Sequence, residues 1–178
     1  MKYLRRIIWF AAARLLAACL ILGLVITAFY YAMNLSNIQI ILKDGMANRA
    51  KFIMGITDDA SDLGRYFQQA YLDSDQELNL ALQGNSQYAD YNVRGIDHRL
   101  EMGFLWVWPW DNSVRVTITE SIPRIDGRVK SLKADSAVAA LGERGLYPPD
   151  WPGGSYKALL VKENGQWKIK SLTVVQSQ

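Results

Sequence analysis

Apolar residues run unbroken from Leu15 to Met33, and this nineteen-residue stretch, LLAACLILGLVITAFYYAM, carries no charge. Wound as a helix at about 1.5 Å per residue it reaches about 28 Å, close to the ~30 Å hydrocarbon core of a bilayer. Ile7 to Ala13 is apolar too, so the pattern predicts a transmembrane helix over 7–33. Beyond it, Ile38, Ile41, Leu42, Met46, Ala50 and Ile53 keep a helical period. Gly45 is expected to interrupt that period and Gly55 to stop it. Residues 34–55 therefore read as a juxtamembrane helix or linker, or as the first helix of the domain that follows.

Thr57 or Asp58 can cap a helix reaching to about Leu72, with Leu63, Phe67, Ala70 and Tyr71 as its apolar stripe. Ser74-Asp75-Gln76-Glu77 reads as a capping box, opening a short helix that stops at Gly84. After Gln87 the period changes to two. Ile96, His98, Leu100 and Met102 share one face of an extended segment. Tyr91 and Val93 have the other parity, which predicts a bulge near Gly95. Phe104-Leu105-Trp106-Val107-Trp108 is apolar on both faces, and Pro109 to Asn112 turns the chain. Val114, Val116 and Ile118 then alternate with polar residues as a half-buried strand. Asp126-Gly127 reads as a tight turn before a strand around Val129. Ala134 to Arg144 reads as a helix with Ala137, Val138 and Leu141 inward. Tyr156 to Val175 is a hairpin turning at Asn164-Gly165, the pair a type I′ turn favours. The fold class is α+β: an N-terminal transmembrane helix, then one domain over 56–178 with a curved antiparallel sheet packed on helices.

Charge sharpens the membrane reading. Lys2, Arg5, Arg6 and Arg14 give the first 33 residues +4, while the rest of the chain sums to −1. The basic excess thus belongs to the helix flank and not to a nucleic-acid-binding surface, and no nucleic-acid partner is expected. The positive-inside rule places residues 1–6 in the cytoplasm and the domain outside the cell membrane, as a single-pass protein. Arg14 sits at the edge of the span and can snorkel towards the headgroups. Tyr30 and Tyr31 fall where the outer aromatic belt is expected. Leu16-Ala17-Ala18-Cys19 has the look of a lipidation box. Arg14 breaks the stretch before it and the chain stays apolar for fourteen positions after Cys19, so Cys19 reads as a small helix residue. One cysteine excludes an internal disulfide framework. With one histidine besides, an ordinary zinc site is excluded, and no cofactor is expected.

The capped helix pair, the strands and the final hairpin with Asn164-Gly165-Gln166-Trp167-Lys168-Ile169 resemble the nuclear transport factor 2-like (cystatin-like) superfamily. The resemblance covers roughly residues 57–175, and the helix at 134–144 falls later than that family's order places it. With one span and such a domain outside, the outline is similar to assembly components of type IV secretion and Gram-positive conjugation machines. The resemblance implies protein–protein scaffolding.

Three groups of residues are candidates for function. Trp106, Trp108 and Trp110, two apart, fall on one side of an extended chain. They could form an interaction patch, dip into the bilayer interface, or, for Trp106 and Trp108, fill the concave core of the sheet. Tyr91, Asp97 and His98 are the titratable side chains near a strand centre. Adjacent Asp97 and His98 point to opposite faces, and His98 has the parity of a buried, hydrogen-bonded ring. The third feature is charge asymmetry: residues 34–114 sum to −5 and residues 115–178 to +4. Arg124 and Arg128, in the basic part, could join the tryptophan patch, or these charges could be ordinary solvated surface. The expected function is non-catalytic: a membrane-anchored extracytoplasmic domain that binds protein partners or a second copy of itself, with the lipid bilayer as its other partner. The alternative is a small-ligand pocket of the same fold with weak isomerase-type chemistry.

Overall fold

A computed structural model describes residues 2–177 of the 178-residue chain. Met1 and Gln178, the outermost residues of the expected terminal stretches, lie outside the described residues. Lys2–Ile53 is one uninterrupted helix of 52 residues, α1. Almost every described side chain from Ile8 to Met33 is exposed. From Ile38 onward a buried stripe recurs every three or four residues through Leu42, Met46, Ala50 and Ile53. One rod thus has an uncovered apolar half and a half that serves as the central helix of the domain. Its apolar part is long enough to cross a membrane, and none of its most apolar 18-residue window is buried.

The expected break at Gly45 does not occur. Tyr66 lies so close to the helix there that an added Cβ would sit 2.9 Å from the Tyr66 Cβ. Gly45 is a close-approach residue inside a continuous helix. The stop at Gly55 holds: the Ile56 N–H reaches back to the Lys51 carbonyl and the Gly55 N–H to that of Phe52.

The helix expected from residue 57 to 72 is broken. A single 3-10 turn covers Ser61–Arg65, and α2 is only Gln69–Ser74. Between them the backbone pairs with the last strand. The Gln68 N–H donates to the Ile169 carbonyl, and the Ile169 N–H to that of Tyr66. These long-range bonds take the place of intrahelical ones. The capping signal is real but shifted by one residue. Asp75, not Ser74, caps α3 (Gln76–Leu82), accepting from the N–H groups of Glu77 and Leu78.

The strands form two antiparallel sheets. β1 (Tyr91–Ile96) pairs with β4 (Ile125–Val129). The larger sheet has the order β2 (Arg99–Met102), β3 (Ser113–Ser121), β5 (Gly154–Glu163), β6 (Gln166–Ser177). The alternating segment from 91 to 102 is therefore two strands, and the chain changes sheets at Asp97-His98. The bulge near Gly95 is present as a register shift between Val93 and Gly95. Asp126-Gly127 is not a turn: both residues lie inside β4, where Gly127 pairs with Val93. The final hairpin forms as read, with Asn164 at φ 52° and Gly165 at φ 81°, the left-handed pair of a type I′ turn. β5 and β6 carry two register shifts, which bend and twist such a ladder.

The domain has a near end, where α1 enters at Tyr31–Asn34, and a far end, where α1 stops at Ile53. At the far end the Ser86 hydroxyl donates to the Ile53 carbonyl. α4 (Ala134–Leu141) hangs beyond it, joined through a 3-10 turn to Leu146. It contains no buried residue, and Val138 and Leu141 point outward, contrary to the inward positions their spacing suggested. Of the expected stripe only Ala137 is half-buried, where it meets Gly145.

Candidate functional site

The sequence-derived candidates separate in space. Trp106, Trp108 and Trp110 gather at the near end, beside α1. Residues 103–108 are extended without belonging to a strand. Leu105 and Val107 take the inward positions, 4% and 0% exposed, and join the core. Phe104, Trp106, Trp108 and Trp110 consequently face out, at 88%, 55%, 41% and 67% exposure. The expectation of Trp106 and Trp108 in a concave core is overturned by this alternation, since no sheet lies over their side.

The run is fastened to α1 at one level. The Tyr31 hydroxyl donates to the Leu105 carbonyl at 3.3 Å, and its ring lies 5.3 Å from that of Trp106. One turn further on, the Asn34 amide donates to the Trp108 carbonyl, while its oxygen accepts from the Trp167 indole, both at 3.4 Å. The rings order one another as well. Trp106 meets Trp108 edge-on, and Trp108 stacks on Trp110 with only 7° between planes. Asp111 closes the turn by accepting the Trp108 N–H at 2.7 Å. The result is a collar of aromatic faces around the point where α1 leaves its uncovered half.

Arg124 and Arg128 do not join this collar. Trp110 precedes the first residue of β3 and Arg124 follows its last. Nine strand residues at ~3.3 Å each put them on the order of 30 Å apart. Arg128 instead lies over the Tyr147 ring at 4.5 Å. The charge halves are partly paired locally, as with Lys133 and Asp90 at 3.5 Å. On the helix flank, Arg5, Arg6 and Arg14 are exposed, Arg14 with its guanidinium 4.3 Å above the Phe10 ring. Tyr30 is exposed on α1 against Phe29, whereas Tyr31 turns to the collar.

The titratable candidates are not one site either. Asp97 is exposed and pairs with Arg99, and the Tyr91 hydroxyl donates to the Gly145 carbonyl. His98 is buried, with Nε2 2.9 Å from Oε1 of Glu120, and Trp151 donates its indole N–H to the other carboxylate oxygen at 3.3 Å. Glu120 is fully buried. Its inward position was readable: Val114, Val116, Ile118 and Glu120 share one parity on β3. Both carboxylate oxygens are thus engaged, one by His98 and one by Trp151.

A second polar cluster joins Arg49, which had no sequence signal, to Asp75 and Glu77 of the capping segment. Arg49 of α1 binds Asp75 through Nε at 2.6 Å and Nη2 at 3.0 Å, and Glu77 at 3.3 Å. Burial disfavours the Arg49 charge, but the bonded carboxylates outweigh it and hold the guanidinium firmly protonated. Burial likewise works against the Asp75 carboxylate, and Arg49 overcomes it, so the group titrates below its ordinary value. Tyr71, alongside, is pushed up by burial. A cleft of about 210 Å³ opens next to Arg49, Tyr71, Glu77, Trp151 and Tyr156. Arg49 and Glu77 in its wall are bonded to each other. Among the described residues no group of three His, Cys, Asp or Glu could hold a metal ion.

The chain matches no protein-family model, no curated protein and no solved structure.

Proposed function

We propose that this is a single-span protein of the cell membrane, N-terminus in the cytoplasm, whose α+β domain works outside as a non-catalytic assembly module. Its partners are membrane or extracytoplasmic proteins, or a second copy of the chain. The carrying observation is α4 at the far end: no residue of it is buried, and Val138 and Leu141, with Leu132 just before the helix, are exposed. Apolar side chains grouped at the tip of an anchored domain favour contact with another protein. Anchoring supports the same reading, because confinement near a bilayer raises the effective concentration of neighbouring subunits.

Photo-crosslinkers placed at Leu132 and Leu141 in intact membranes test it. The expected result is a discrete adduct, either a dimer or one recurring neighbour. Monomer alone from both positions would overturn the assembly reading. Protease added to whole cells tests the topology separately, and the domain should be digested.

A further inference from the structure

We infer that the aromatic run from Phe104 to Trp110 lies in the lipid interface on the exit side of the span, seating the near end of the domain on the bilayer. This rests on α1 being a membrane span. Tyr31 lies two residues before the end of the apolar run at Met33, near the depth where such a helix leaves hydrocarbon for headgroups. Trp106 packs on Tyr31, and the Trp108 backbone is bonded to Asn34. Three residues of helix are about 4.5 Å of rise, so the two points where the run is fastened, Leu105 and Trp108, lie within about a turn of that depth.

The chemistry of the collar suits the interface. Trp and Tyr concentrate there because the ring prefers the acyl boundary while the N–H or O–H stays wet. The two buried indoles have protein acceptors, Trp151 on Glu120 and Trp167 on Asn34. For the three exposed indoles no acceptor is found among the described residues, which leaves their N–H groups for headgroups and water. Phe104, 88% exposed, extends the apolar face. Leu105 and Val107 hold the run from beneath, so its outward side is presented by the core and not by a loose loop. A domain clamped this way would present α4, at its opposite end, away from the lipid.

The full-length chain reconstituted in phosphatidylcholine vesicles provides the test. Tryptophan emission of the wild type minus that of W106F/W108F/W110F isolates the collar. W110F alone, at the most exposed of the three, repeats the comparison with the least disturbance. The collar signal should be blue-shifted relative to water. It should lose intensity when the lipid carries bromine on its shallow acyl carbons. Emission as in water, with quenching by aqueous iodide, would overturn the inference while leaving the span intact. A blue-shifted signal indifferent to brominated lipid would overturn it in favour of a protein cover. Release of the chain by alkaline carbonate would sink the span, and this inference with it.

Discussion

Arg49, four residues before the end of the helix that begins at Lys2, grips Asp75 with two parallel hydrogen bonds of 2.6 and 3.0 Å. The same carboxylate caps α3 through the N–H groups of Glu77 and Leu78. One side chain therefore ties the N-terminal helix to the body of the domain and starts the helix beside it.

That double duty predicts a large loss on removing either partner. Arg49→Met strands a buried carboxylate and should cost about 3 kcal/mol or more, read as a fall in the urea midpoint of the detergent-solubilised chain. Asp75→Asn keeps a competent cap but loses the ion pair, and should cost less. The pH dependence follows from the sign of the shift. The folded-state pKa of Asp75 is depressed below the ordinary 3.8, so its stabilisation is complete above that value. It is lost as pH falls through the lower folded-state value. Asp75→Asn should flatten the acid limb of the stability curve below about pH 4. An unchanged acid limb would refute the assignment.

Glu120 satisfies both His98 and Trp151 in the core. Glu120→Ala should destabilise by roughly 3 kcal/mol, because the His98 ring and the Trp151 indole lose their hydrogen-bond partner at once. The double variant Glu120→Ala, His98→Ala should cost less than the sum of the single changes. Additive costs in chemical denaturation would show that the two side chains do not act together.

Gly45 is required by contact with Tyr66 and not by helix geometry. Gly45→Ala gains about 1 kcal/mol of helix propensity, but the new methyl meets the Tyr66 Cβ at 2.9 Å. A net loss of roughly 1–3 kcal/mol is expected from overpacking. Gly23→Ala is the control, since no atom lies within 4 Å of its added methyl. Thermal melts of both variants check the contrast, and equal behaviour would contradict it.

Gly165 holds φ 81° in the turn between β5 and β6. Gly165→Ala strains that turn by about 1 kcal/mol. The loss should appear as faster amide exchange along the paired Lys162–Trp167 end of the hairpin.

Much of this was legible along the chain because it depends on neighbours in sequence. The long apolar helix, the stop at Gly55, the bulge at Gly95 and the Asn164-Gly165 hairpin are local matters of periodicity and backbone freedom. Three of the misreadings share one cause, contact with a distant residue. Ile169 takes the backbone bonds of Tyr66 and Gln68 that a helix would have kept. Tyr66 explains Gly45. Val93 opposite Gly127 turned an apparent reverse turn into strand.

The candidate site divides the same way. Spacing alone determined that Trp106, Trp108 and Trp110 share a side, since alternate residues of an extended chain must. Which side was decided by the core, which took Leu105 and Val107 and left the indoles outside beside Tyr31. Parity placed Glu120 inward, but only folding could bring His98 and Trp151 to it. Local geometry is written in residues a few positions apart, whereas burial depends on what the rest of the chain packs against each face.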